Sequence, residues 1–115
     1  MPITVYSPHL YGSLNLTAGV DQRMREDEVF ASFVKDCIVR FYKQDWGELD
    51  EEDKSQNEMA IAEAPGATIF AIYYMDPEIK SDSIYIICNG FCADENRARL
   101  QGFHPYTTVL FPSEY

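Results

Sequence analysis

The stretch that decides the fold is DEVFASFVKDCIVRFYKQ, residues 27 to 44. Phe30, Phe33, Val34, Cys37, Ile38 and Phe41 recur at helical spacing and form one apolar stripe. Asp27 and Glu28 suit the positive end of a helix, and Arg40 and Lys43 suit its negative end. The spacing predicts an amphipathic helix that needs an apolar surface to lie on. Asp45-Trp46-Gly47 is expected to end it, with Gly47 free to take positive φ.

That surface is expected from strands on both sides of the helix. Upstream, 2–7 (PITVYS) reads as a short edge strand led by Pro2. Residues 10–17 (LYGSLNLT) alternate, with Leu10, Gly12, Leu14 and Leu16 on one face and Tyr11, Ser13, Asn15 and Thr17 on the other. Thr17 suits the cap of a short helical turn, AGVDQRM. Downstream, residues 49–63 predict a second helix with Asp50 as N-cap, ended by Pro65-Gly66. ATIFAIYYM (67–75) and SIYIICN (83–89) predict a hairpin around the polar turn 76–82. Residues 90–105 read as a loop or short helix, and TTVLF (107–111) as a last strand stopped by Pro112. The expectation is one α+β domain, 1–115: a three- to four-stranded antiparallel sheet packed against two main helices. The stripe Phe30, Phe33, Cys37 and Phe41 is expected to face the sheet.

A chain of 115 residues, 46% hydrophobic, with eight Tyr, seven Phe and one Trp, can bury a real core. No apolar run approaches the ~20 residues of a membrane helix. The N-terminus lacks a basic signal-peptide region, so a cytoplasmic location is expected. Three cysteines, Cys37, Cys88 and Cys92, are an odd number and fit reduced thiols rather than a disulfide framework. Net charge is −10. Phosphates need Lys and Arg, so direct nucleic-acid binding is not expected, and a basic protein surface is the fitting partner.

The acid is concentrated. From Asp45 to Glu58 lie Asp45, Glu48, Asp50, Glu51, Glu52, Asp53 and Glu58 against Lys54 alone, leaving the segment at −6 of the net −10. Three readings compete: a metal site, a partner surface, and the solvated start of a helix whose dipole favours acid. The spacing does not match a calcium loop. Glu48, Glu51, Glu52, Asp53 and Trp46 are the candidate partner-binding residues, Trp46 being either a core anchor or, if half exposed, part of the contact surface, with Asp50 used in capping. Cys88, Cys92 and His104 offer a loose zinc set without a fourth ligand, and no metal or other cofactor is expected. No catalytic motif is present: no glycine-rich phosphate loop, no G-x-S-x-G, no H-E-x-x-H. Arg97 and Arg99 in the 90–105 stretch are the second-choice contact residues, as an anion site or as partners of surface carboxylates.

The segments DWGELDEEDKSQNEMAI (45–61) and TTVLFPSEY (107–115) resemble motifs of a family of small uncharacterised proteins from bacterial plasmids, phages and integrative elements. The first motif is matched at Asp45, Trp46, Gly47, Glu48, Leu49, Glu52, Asp53, Asn57 and Glu58, the second at Thr107 to Pro112, Glu114 and Tyr115. LYGSLNLTAGVDQRM is similar to that family's opening. The family's T-E-A-D-R-S segment is replaced here by CNGFCADENRARLQGFHPY, in which Asp94, Arg97 or Arg99 could stand in for its Asp-Arg pair. The resemblance carries no activity. It implies a mobile genetic element, a setting where small acidic proteins often inhibit host defence enzymes, anti-CRISPR proteins among them. A small enzyme or ligand-binding domain with its site near 90–105 is the alternative.

Overall fold

The computed structural model describes residues 11–63, 66–76, 78–91, 100, 102 and 104–115. Strand β1 (Ser13–Leu16) leads into helices α1 (Ala18–Glu26), α2 (Glu28–Tyr42) and α3 (Glu51–Glu63); strands β2 (Ala67–Asp76), β3 (Ile79–Phe91) and β4 (Tyr106–Leu110) follow, and a 3-10 turn, Pro112–Glu114, closes the chain. The architecture is α+β, with three helices and a four-stranded sheet in the order β1-β4-β3-β2.

Local chemistry starts each helix. Thr17 accepts a hydrogen bond from the Val20 amide, so the short turn expected there extends to nine residues as α1. Asp27 accepts from the amides of Val29 and Phe30 at the start of α2. Asp50 accepts from the Asp53 amide at 2.8 Å at the start of α3, the role expected of it.

Helix α2 lies on the sheet as its stripe demands, but the buried line is Phe30, Val34, Cys37 and Phe41. Phe33, expected to face the sheet, is only half-buried at the flank, its ring 6.2 Å from that of Phe30. Together with Val20 of α1, this line covers Ile69, Ala71 and Tyr73 of β2, Ile84, Ile86 and Cys88 of β3, and Val109 of β4. These alternate along each strand, so Phe70, Ile72, Tyr74 and Tyr85 turn to the opposite, outer face.

Three expectations need correction. The sheet is mixed: β2–β3 and β3–β4 are antiparallel, but β1 and β4 are parallel, Ser13 opposite Tyr106 through Leu16 opposite Val109. The last strand inserts between β1 and the hairpin, parallel to the one and antiparallel to the β3 arm of the other. The turn expected over 76–82 is shorter, because Asp76 already pairs with Ile79 and its carboxylate accepts from the Glu78 amide. Tyr11, assigned to the polar face of its strand, is fully buried instead. Gly12 at φ +74 breaks the alternation, and a Cβ there would fall 1.7 Å from the Pro105 carbonyl oxygen. Tyr11 then packs among Phe41, Tyr42 and Phe91, donates from its hydroxyl to the Tyr42 carbonyl, and accepts at its own carbonyl from the Thr107 hydroxyl. The strand expected at 2–7 lies outside the described residues.

Candidate functional site

The acidic segment begins as a clasp at the end of α2. Arg40 donates two hydrogen bonds to Asp45, 2.7 and 3.2 Å, and the Asp45 amide bonds back to the Arg40 carbonyl. Hydrogen bonding from Arg40 holds the Asp45 carboxyl below its ordinary range. The Tyr73 hydroxyl donates to the Asp45 carbonyl at 2.6 Å, and the Arg40 guanidinium lies 4.9 Å from the centre of the Tyr73 ring. Trp46 is 3% exposed, edge-on to Phe41 at 5.5 Å, and Leu49 is buried beside it. Trp46 therefore anchors the segment and offers no ring to a partner.

The next residues guard a sheet edge. Strand β2 is outermost, so half of its backbone groups face away from β3 and need partners. Gly47, at φ +68, bridges to Ile72 in parallel fashion, and the Glu48 amide donates to the Ile72 carbonyl at 2.7 Å. The Glu48 carboxylate accepts from the Tyr74 amide at 3.0 Å. In the second turn of α3, the side chain of Asn57 does what a neighbouring strand would do. Its amide donates to the Phe70 carbonyl at 2.7 Å and its oxygen accepts from the Phe70 amide at 3.3 Å. Glu48 and Asn57 thus occupy the edge that a further strand would use.

Of the seven carboxylates, Asp45, Glu48 and Asp50 hold backbone. Glu51, Glu52, Asp53 and Glu58 remain on the exposed side of α3, with Lys54 3.6 Å from Glu51 as the one nearby cation among the described residues. Among its described side chains, helix α3 buries only Asn57, with Lys54, Ala60 and Ile61 half-buried. A helix so polar is held by its caps and its amide hook, not by an apolar stripe.

A second surface went unrecognised in the sequence: the outer face of the sheet. Phe70, Tyr85 and Tyr115 form a ring cluster, Phe70–Tyr85 edge-to-face at 4.9 Å and Tyr85–Tyr115 at 5.9 Å. A depression of about 410 Å³ beside it is lined by Ile72, Tyr74, Ser83, Tyr85, Phe111, Pro112 and Ser113. Another, of about 350 Å³, lies between α3 and β2, lined by Leu49, Asp53, Gln56, Asn57, Ala60, Thr68 and Phe70. The abundance of Tyr in strand sequences was the one signal of this face.

Burial pushes the Cys37 thiol up to about 12 and the Cys88 thiol up to about 11, so both are neutral core side chains near pH 7. Among the described residues, no three His, Cys, Asp or Glu side chains converge as metal ligands, and no helix is long and apolar enough to cross a membrane. Cys92, Arg97 and Arg99 lie outside the described residues, and so does most of the 90–105 stretch. No protein-family model, no curated protein and no solved structure matches the chain.

Proposed function

We propose that this chain is a non-enzymatic protein-binding module whose acidic α3 face, Glu51, Glu52 and Asp53, engages a basic surface on a nucleic-acid-handling protein. The observation that carries the reading is α3 itself: a thirteen-residue helix whose one buried side chain among the described ones is Asn57, fixed by it to the sheet edge and capped by Asp50. Such a helix contributes little to the core, yet it is positioned firmly and presents carboxylates at high density. Like charges this close repel one another in the free protein, and a basic partner relieves that repulsion. The setting implied by the family resemblance is the cytoplasm of a bacterium carrying a mobile element. The pointed case is an anti-CRISPR-like inhibitor of a defence nuclease, its carboxylates filling a groove built for phosphates. Association would then be fast and weakened by salt.

The test starts by capturing the partner from host cells with the tagged chain and identifying it by mass spectrometry. Reversing Glu51 and Glu52 to Lys is expected to change folding stability by no more than about 0.5 kcal/mol, since both are exposed. Binding of the captured partner is expected to fall sharply, through slower association at low salt. Equal binding by variant and wild type across a salt titration would remove α3 as the contact and direct the same experiment to Arg97 and Arg99.

A further inference from the structure

We propose that the outer face of the sheet reads arginine, taking an extended arginine-bearing segment of the same basic partner across the Phe70–Tyr85–Tyr115 cluster. The proposal rests on the reading of α3 as the partner face and names what that partner must carry. The two surfaces are continuous. Asp53 belongs to the acidic face of α3 and also lines the depression that Phe70 closes. Phe70 packs on Tyr85, and Tyr85 lines the second depression. A partner segment leaving α3 therefore crosses the aromatic cluster without meeting a described cation: the two depressions hold one carboxylate, Asp53, and no Lys or Arg among their lining residues.

The chemistry of the lining selects guanidinium over ammonium. The rings pack edge-to-face or tilted, Phe70–Tyr115 at 54°, and Tyr115 is the most open of them, its exposed ring offering a planar cation a surface to stack on. A guanidinium stacks flat and still donates in its own plane, whereas an ammonium is a strongly hydrated point charge. Acceptors stand at both ends: the Asp53 carboxylate and the Gln56 side chain at one, the hydroxyls of Tyr74 and Ser83 at the other. Ser83 is only 5% exposed and lines the depression, so its side chain is part of that depression's wall.

The experiment uses two labelled peptides of equal length and charge, one alternating Arg with Gly and the other Lys with Gly, titrated against the full chain by fluorescence anisotropy. The Arg peptide is expected to bind about tenfold tighter. Tyr85→Ser and Tyr115→Ser are each expected to bring it down toward the Lys peptide while leaving the Lys peptide unchanged. Tyr115 is 81% exposed, so Tyr115→Ser keeps the test valid even if Tyr85→Ser unfolds. The double reversal of Glu51 and Glu52 is expected to weaken both peptides. Equal affinity of the two peptides, still lost in that double reversal, overturns the arginine surface and leaves the acidic face standing. Absence of binding by both peptides, with the captured partner still sensitive to the reversal, also overturns it. If neither peptide nor partner responds to the reversal, both readings fall. Two results would assign the face to another occupant and overturn the proposal: dimerisation of the chain alone that Tyr85→Ser abolishes, or an oligonucleotide whose binding Tyr85→Ser abolishes.

Discussion

Replacing Asn57 tests whether an amide side chain substitutes for a strand. Asn57→Ala removes both hydrogen bonds to Phe70, leaving one amide and one carbonyl of β2 without partners. Each such group costs about 1–3 kcal/mol when water is kept out. Asn57 is 6% exposed, but β2 is an edge, so water entering the vacated space recovers part of that. The net expectation is a loss of about 2–4 kcal/mol, a large share of the ~5–15 kcal/mol that holds a domain together. The chain has a single tryptophan, Trp46, buried nearby, so its fluorescence reports urea unfolding. With a slope of ~2 kcal/mol per molar, the midpoint is expected to drop by about 1–2 M. The exposed edge should also promote self-association. Asn57→Asp sharpens the test. It keeps the acceptor for the Phe70 amide but sets a carboxylate against the Phe70 carbonyl. Protonation restores the donor, so this group's folded pKa is raised above its unfolded value. Its deficit against wild type should be smallest at low pH and grow as pH rises through that folded pKa. A midpoint for Asn57→Ala no lower than that of Gln56→Ala, on the exposed side of the same helix, would refute the strand-substitute reasoning.

Three further outcomes are expected. Val34→Asp, at a fully buried site on the sheet-facing line of α2, should abolish the cooperative melt, because an unpaired buried charge costs several kcal/mol. Phe33→Asp should remain folded with a loss of about 1–3 kcal/mol, since its carboxylate reaches water; equal damage in both variants would show the buried line is misassigned. Gly47→Ala should cost at least ~2 kcal/mol in a urea melt, combining the left-handed backbone with a Cβ placed 2.0 Å from the Ile72 carbonyl oxygen; a midpoint within error of wild type would remove the clasp from the account. For Cys37 the folded pKa is raised from 9.0 to about 12, so its contribution is full below pH 9 and lost as pH climbs to about 12. Cys37→Ala should flatten that alkaline loss, and thiol reagents at pH 8 should leave Cys37 and Cys88 of the native chain unlabelled in peptide mass spectra.

How much of this was legible follows from what a periodic pattern reports. Periodicity describes one element's own faces, so the 27–44 stripe, the caps Thr17, Asp27 and Asp50, and the positive φ of Gly47 were all readable from neighbours in sequence. It says nothing about which element arrives alongside. The parallel β1–β4 pair depends on where the last strand inserts, about ninety residues after the first, and no local signal encodes that. Tyr11 was misplaced because the alternation was carried through Gly12, whose positive φ resets the faces. Asn57 was hidden more deeply, since a lone Asn in an acidic helix is indistinguishable from surface until the Phe70 backbone is set beside it. Its place matters for function as well. The segment from Asp45 to Asn57 reads in sequence as a charged binding patch, yet Asp45, Gly47, Glu48 and Asn57 clasp α2 and close the sheet edge. Matching those residues in another chain therefore argues for a shared edge-closing device, and only weakly for a shared partner. The partner must be sought in what the fold leaves unused: Glu51, Glu52 and Asp53 on α3, and the aromatic face that Asp53 adjoins.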